Sequence, residues 1–265
     1  MQRGCLIRPY CRVQNLMTQR IHITKFIARS LTRLMLGAIC LVGCDNAGDD
    51  PAISDTPVVG TGMVRGVVHF SGTAPTMEPI PNAGCHANAT PIMAETVVVN
   101  ANGTLANVFV SLEGAGRWNG ASRPVVELDQ VNCQFVPHVV GVQVGQTLNV
   151  KSADPTLHNV HWDPRQNKPA NFGMNKAGNE KSVTFPHAEI FRVRCDVHPW
   201  MSAYVGVFDN PFFSLTDSTG AFQIDQIPAG TYTLVAWHET YGRLTQNVIV
   251  DETGTVEATF EYKVP

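Results

Sequence analysis

Beyond about residue 60 the apolar residues fall in short runs rich in Val, Ile, Phe, Thr and Tyr, with no sustained 3.6-residue period. Short runs bounded by turn residues are strands rather than helices. They include VRGVVHF, ANVFVSL, HVVGVQV, TLNVKS, KSVTF, YVGVF, AFQI, YTLVAW, QNVIV and EATFEY. Between many of them stand NANGT, VGQT, DSTG, IPAG and DETGT, which carry the Gly, Asn, Asp and Pro that tight turns use. The pattern predicts an all-β protein built of sandwiches or barrels. The stretch RVRCDVHPWMSAYVGV, Arg192 to Val207, reads as strand, tight loop, strand.

The first 44 residues follow a different rule. Seven Lys/Arg and no acidic residue occur up to Arg33, and then comes LMLGAICLVGC, Leu34 to Cys44. That apolar run is too short to span a membrane, which takes ~20 residues. A basic region followed by a short apolar one is a signal peptide. Its end, LVGC, resembles a bacterial lipobox. The resemblance implies that Cys44 is acylated and becomes the first residue of a lipid-anchored envelope protein. The alternative is an ordinary signal peptide cut nearby. The polar stretch after Cys44, residues 45–59, reads as a tether, and Asp45 resembles an inner-membrane retention signal. Met17 is an alternative start.

Composition narrows the class. Charged residues make up 15% and hydrophobic ones 44%, which suits a compact extracytoplasmic β protein and argues against disorder. Seven of the 19 Lys/Arg lie in residues 1–44 and none of the 22 Asp/Glu does, so the remainder carries 12 against 22, a formal charge of −10. An acidic surface disfavours nucleic acid and would steer a protein partner with a basic docking face.

The seven cysteines then sort by position. Cys5, Cys11 and Cys40 leave with the signal, Cys44 takes the lipid, and Cys85, Cys133 and Cys195 remain. Outside the cytoplasm thiols pair, so three leave one over, and a metal is a good reason for a lone thiol. Cys195 has other ligand types beside it, which makes Cys85 and Cys133 the natural disulfide. The alternative is that both are free and buried.

Two architectures overlap along the chain. Ser214 to Glu239, SLTDSTGAFQIDQIPAGTYTLVAWHE, resembles the second half of a carboxypeptidase-regulatory-like (prealbumin-like) β-sandwich. The usual first half of that module appears earlier, at RGVVHFSG (Arg65–Gly72) and LANVFVSLEG (Leu105–Gly114). Residues 214–265 hold too few strands to close a core alone. The economical division is a signal at 1–44, a tether at 45–59, the first part of the sandwich at 60–116, a metal domain at 117–212 and the second part of the sandwich at 213–265. Alternatively, 60–116 supplies the first strands of the metal domain.

The metal domain carries Cys195, His198 and Met201 within seven residues, and His158 in LHNVHW upstream. The series PHVVGVQVGQTLNV, LHNVHW and CDVHPWM resembles a cupredoxin over residues 124–210, and its short C-x2-H-x2-M loop is most similar to that of the amicyanins. The resemblance implies a Greek-key β-sandwich and one type 1 copper held by His158, Cys195, His198 and Met201. Thiolate, two imidazoles and a weak axial thioether suit copper in both oxidation states. Zinc would rather have a second cysteine or a carboxylate. Asn159 could tie the two ligand loops together, as in that family. Pro199 stiffens the loop. Trp200 is either part of an apolar rim beside His198 or a core aromatic.

The other histidines read more plainly. The four-ligand set is full without His161. His138 and His187 read as loop or strand-surface residues. His238 and Glu239 read as a structural hydrogen-bonded pair, and Met174 as a gap filler. No Ser-His-Asp set, paired carboxylates or His-x-His pairs for a trinuclear copper cluster are legible, so no enzyme is expected. The expected function is single-electron transfer by a tethered copper protein with a redox protein partner. Two alternatives stand beside it: copper binding or sensing without turnover, and a cell-surface carbohydrate- or protein-binding module that carries a cupredoxin.

Overall fold

The computed structural model describes residues 59–81, 91–118 and 123–264. The signal, lipobox and tether expectations, Cys44 and Cys85 included, fall outside these residues. Two strands lead, β1 (Gly62–Ser71) and β2 (Phe109–Glu113). Nine follow: β3 (Val126–Val131), β4 (Gln134–Val136), β5 (Val139–Gln143), β6 (Leu148–Ser152), β7 (His158–Trp162), β8 (Ala170–Met174), β9 (Asn179–Val183), β10 (Glu189–Arg194) and β11 (Ser202–Phe208). The last five are β12 (Phe213–Leu215), β13 (Ala221–Ile227), β14 (Gly230–His238), β15 (Gly242–Val250) and β16 (Thr255–Lys263). No helix occurs among the described residues, and the protein is all-β.

The strands form four sheets in two pairs. β13-β1-β16 and β12-β2-β14-β15 enclose one core, built on Val64, Leu105, Val108, Ile227 and Leu234. β5-β11-β10-β7-β8 and β4-β3-β6-β9 enclose another, built on Leu128, Leu148, Val160, Val193 and Val205. The chain leaves the first pair of sheets after β2 and returns to it at β12. Its first and last strands, β1 and β16, lie side by side in parallel from Met63↔Thr255 to Ser71↔Lys263. Alternation explains the cores: in β6 the burial runs buried, intermediate, buried, intermediate, buried, so Leu148 and Val150 face in.

Where the two sandwiches meet, glycine makes room. β5 and β11 pair in parallel with Gly141 opposite Gly206. A Cβ on Gly141 would sit 2.6 Å from the Phe213 ring, and one on Gly206 would sit 3.0 Å from Phe109. Glycine inside a strand marks such close approaches. Phe208 stacks on Phe213 at 4.4 Å, and Tyr204 packs on Trp237 at 5.2 Å. Beside these rings His138 pairs with Glu239, both buried.

That pairing corrects two expectations. His138 is no surface residue, because Glu239 reaches it from the other sandwich. Glu239 is not paired with His238, because it sits in the turn after β14 and bonds His138 instead. His238 turns inward instead, accepts from the Thr240 amide and stacks on Tyr241. Met174 is buried in the core of the metal domain.

Candidate metal centre

The site forms where β7 begins and β10 ends. These strands run antiparallel, with Val193 opposite Trp162 and Arg194 opposite His161. The register brings His158 to the same end of the sandwich as Cys195. From Cys195 the chain turns back on itself: the Met201 amide donates to the His198 carbonyl at 2.9 Å, and the Cys195 amide donates to the Met201 carbonyl at 3.1 Å. The loop thus presents Cys195 and His198 toward one point and returns into β11.

His158 Nδ1 and His198 Nδ1 face each other at 2.9 Å, and Cys195 Sγ lies 3.8 Å from His198 Nδ1. All three residues are buried, as is Met201, which belongs with Cys195 to the surrounding core. At 2.9 Å at most one of the two facing nitrogens carries a proton. The Cys195 sulfur accepts from the amides of Asn159 at 3.5 Å and His198 at 3.4 Å. Burial alone would push this thiol's pKa up. Hydrogen bonding from His158 and from the amides of Asn159, His198 and Val197 outweighs burial and holds it below the ordinary thiol value. Burial works likewise against protonated His158, yet hydrogen bonds to Cys195 and Asp154 raise its pKa. His198 is lowered by burial and by the charge of His158.

Asn159 joins the two ligand loops. Its Oδ1 accepts from the Asp196 amide at 2.6 Å, and its Nδ2 donates to Asp196 Oδ2 and Asn171 Oδ1. Pro199 is exposed at the loop's apex. Trp200 is half-buried, lies 5.2 Å from the His198 ring and donates its indole N–H to the Cys133 carbonyl at 3.2 Å. His161 bonds Asp196 at 2.7 Å and Arg194 at 3.0 Å.

Two contributors were not legible in the sequence. Asp154, buried, accepts from His158 Nε2 at 2.9 Å. It is itself held by the amides of Asn132 at 2.7 Å and Cys133 at 2.8 Å. With Nε2 directed at this carboxylate, Nδ1 is the ring atom left facing the site, and a carboxylate is a usual second partner of a ligating histidine. The only hint was a carboxylate four residues before the histidine, and spacing in a loop does not encode contact.

The second is Cys133. Its sulfur and a ring nitrogen of each of His158 and His198 lie within 4.8 Å of one another. Cys133 is disulfide-bonded, whereas Cys195 is a free thiol. A disulfide sulfur offers no thiolate, so Cys195 is the thiolate donor of the site as it stands. Cys85, its expected partner, lies outside the described residues.

The donors at hand are a free, buried thiol whose pKa is held below the ordinary value and two facing imidazole nitrogens, with the buried Met201 at the end of the same loop. Those atoms fit copper: the sulfur suits Cu(I), the imidazoles serve either oxidation state, and the backbone donors are already in place.

No protein-family model and no curated protein matches the chain. Solved structures do. The copper-containing nitrite reductase NirK from Thermus scotoductus SA-01 matches at 22% identity, over 34% of this chain and 24% of its own, with a TM-score of 0.30. The chain thus spans about a quarter of that enzyme's length. A proline-to-glycine mutant of amicyanin, in its reduced Cu(I) form, matches at 20% identity over 37% of this chain and 97% of its own, TM-score 0.29. A purple cupredoxin from Nitrosopumilus maritimus matches at 19% identity over 31% and 98%, TM-score 0.27.

Proposed function

We propose that the protein is a one-electron carrier of the bacterial cell envelope, tethered through Cys44 and built around a single type 1 copper held by His158, Cys195, His198 and Met201. The observation that carries this reading is the run of close contacts among buried donors, His158 Nδ1 to His198 Nδ1 at 2.9 Å and Cys195 Sγ to His198 Nδ1 at 3.8 Å. When bound there, copper would supply a one-electron couple. The protein's part is to hold the donors still: Asp154 orients His158, Asn159 locks the loops, and the amides of Asn159 and His198 fix the sulfur. Donors fixed in one compromise arrangement keep reorganisation between oxidation states small.

Electrons need a way out. Leu157 and Val197, each one residue from a ligand, are 49% and 47% exposed. Together with exposed Pro199 they put apolar surface on the ligand loops, suited to brief contact with a redox protein. The acidic balance of the mature chain favours a partner with a basic face.

The test is the visible and EPR spectrum after adding Cu(II), beside a Cys195→Ser variant. An intense thiolate-to-Cu(II) band with narrow copper hyperfine splitting, lost in the variant, is the expected result. A colourless protein, or a copper signal indifferent to Cys195, would refute the reading. Tight binding with sluggish electron exchange would move the function to copper storage or sensing.

A further inference from the structure

The sequence speaks against zinc because the ligand set it offers has neither a second cysteine nor a carboxylate. The fold brings a second cysteine from elsewhere. The β3–β4 hairpin turns tightly through Asn132 and Cys133, both at positive φ. Three bonds secure its tip: the amides of Asn132 and Cys133 to Asp154, and the Cys133 carbonyl to Trp200. Asp154 holds His158 and Trp200 sits on the His198 loop, so the tip touches both ligand loops. The Cys133 sulfur lies within 4.8 Å of ring nitrogens of both histidines and is held in a disulfide.

We infer that this disulfide masks a second metal-binding state, a tetrahedral site for a Zn(II)-type ion made of Cys133, Cys195, His158 and His198, which opens when a dithiol reduces the bond. The inference uses the same pocket as the electron-carrier reading and rests on it for Cys195, His158 and His198. Cys133 is sealed from solvent, so the dithiol's thiolate attacks the partner sulfur. The S–S bond breaks and Cys133 leaves as a thiolate. The dithiol's second thiol then attacks the mixed disulfide and frees the partner cysteine. Two electrons pass to the protein, the dithiol closes to its own disulfide, and its two protons end on the two cysteines. The Cys133 proton goes to water when a metal binds. The donor set changes from one thiolate, two imidazoles and a thioether, suited to copper cycling, to two thiolates and two imidazoles, suited to a redox-inert tetrahedral ion.

The probe is Co(II), whose sulfur-to-metal charge-transfer absorption grows with the number of thiolates bound. The full chain is titrated with Co(II) with the disulfide intact, and again after reduction by a phosphine that is then removed without air. Reduction is expected to raise the charge-transfer absorbance per bound ion about twofold. In Cys133→Ser no such rise occurs. Reduced wild type and Cys133→Ser lack the same crosslink, so loss of the crosslink cannot explain a difference between them. Cys195→Ser gives a second route: on reduction it gains a sulfur-to-cobalt band that the Cys133→Ser/Cys195→Ser double variant lacks. Unchanged absorbance on reduction, or unfolding of the reduced chain, overturns the inference. Failure of the electron-carrier reading shows separately, as an intact protein with no thiolate-to-Cu(II) band.

Discussion

Replacing Asp154 by Asn tests the least visible part of the metal centre. The carboxylate has two oxygens and three donors. Oδ1 accepts from the Asn132 amide at 2.7 Å, and Oδ2 accepts from the Cys133 amide at 2.8 Å and from His158 Nε2 at 2.9 Å. An asparagine keeps one oxygen and turns the other into an NH2 group. Placed at Oδ1, that group faces the Asn132 N–H. Placed at Oδ2, it faces the Cys133 N–H and can bond His158 only if the imidazole proton moves to Nδ1, the atom aimed at the metal. Losing the outer partner of a ligating histidine costs about 10–100-fold in metal affinity, or about 1.4–2.8 kcal/mol at ~1.4 kcal/mol per decade. One buried donor left unsatisfied costs roughly 1–3 kcal/mol of fold stability. The assay is a competition titration of copper against a chelator, paired with urea unfolding of the metal-free protein. Asp225→Asn, an exposed carboxylate in the other sandwich, is the control and should change neither. A folded Asp154→Asn protein binding copper within about twofold of wild type would refute the role given to this carboxylate. Lower stability with intact affinity would assign Asp154 to the fold alone.

Two further outcomes concern the frame around the site. His238 is buried, its pKa is lowered to about 4 by burial and then by the charge of His138, and its Nε2 has no partner among the described residues. Its folded pKa lies below the unfolded one, so stability is full above about pH 6.5 and falls as the pH drops toward 4, by roughly 3 kcal/mol in all. His238→Phe, which keeps the ring on Tyr241, should flatten the Tm-against-pH curve over that window, and an unchanged slope would sink the assignment. Gly206→Ala should cost about 1–3 kcal/mol by overpacking, since its Cβ would fall 2.9 Å from Phe208 and 3.0 Å from Phe109. An unshifted urea midpoint would mean that the sandwich interface yields freely.

What the sequence determined alone is what short-range pattern can carry. Period-two alternation put Leu148 and Val150 on one face. The spacing of Cys195, His198 and Met201 sits within one turn, so three candidate ligands were legible together. His158 came only through family resemblance, because the register that brings β7 to β10 is set by pairing between segments 30 residues or more apart. Contacts between distant segments were decided by the tertiary structure alone. Asp154 reaches His158 only because the β3–β4 turn fixes it in place. Gly141 and Gly206 are seats for the aromatic rings of the other sandwich. His138 finds Glu239 across 101 residues. Cys133 is 62 positions from Cys195 in the chain, yet the fold sets its sulfur against the same two histidines. Sequence records which donors a chain owns, and only the packing of its sheets decides which of them share a metal's space.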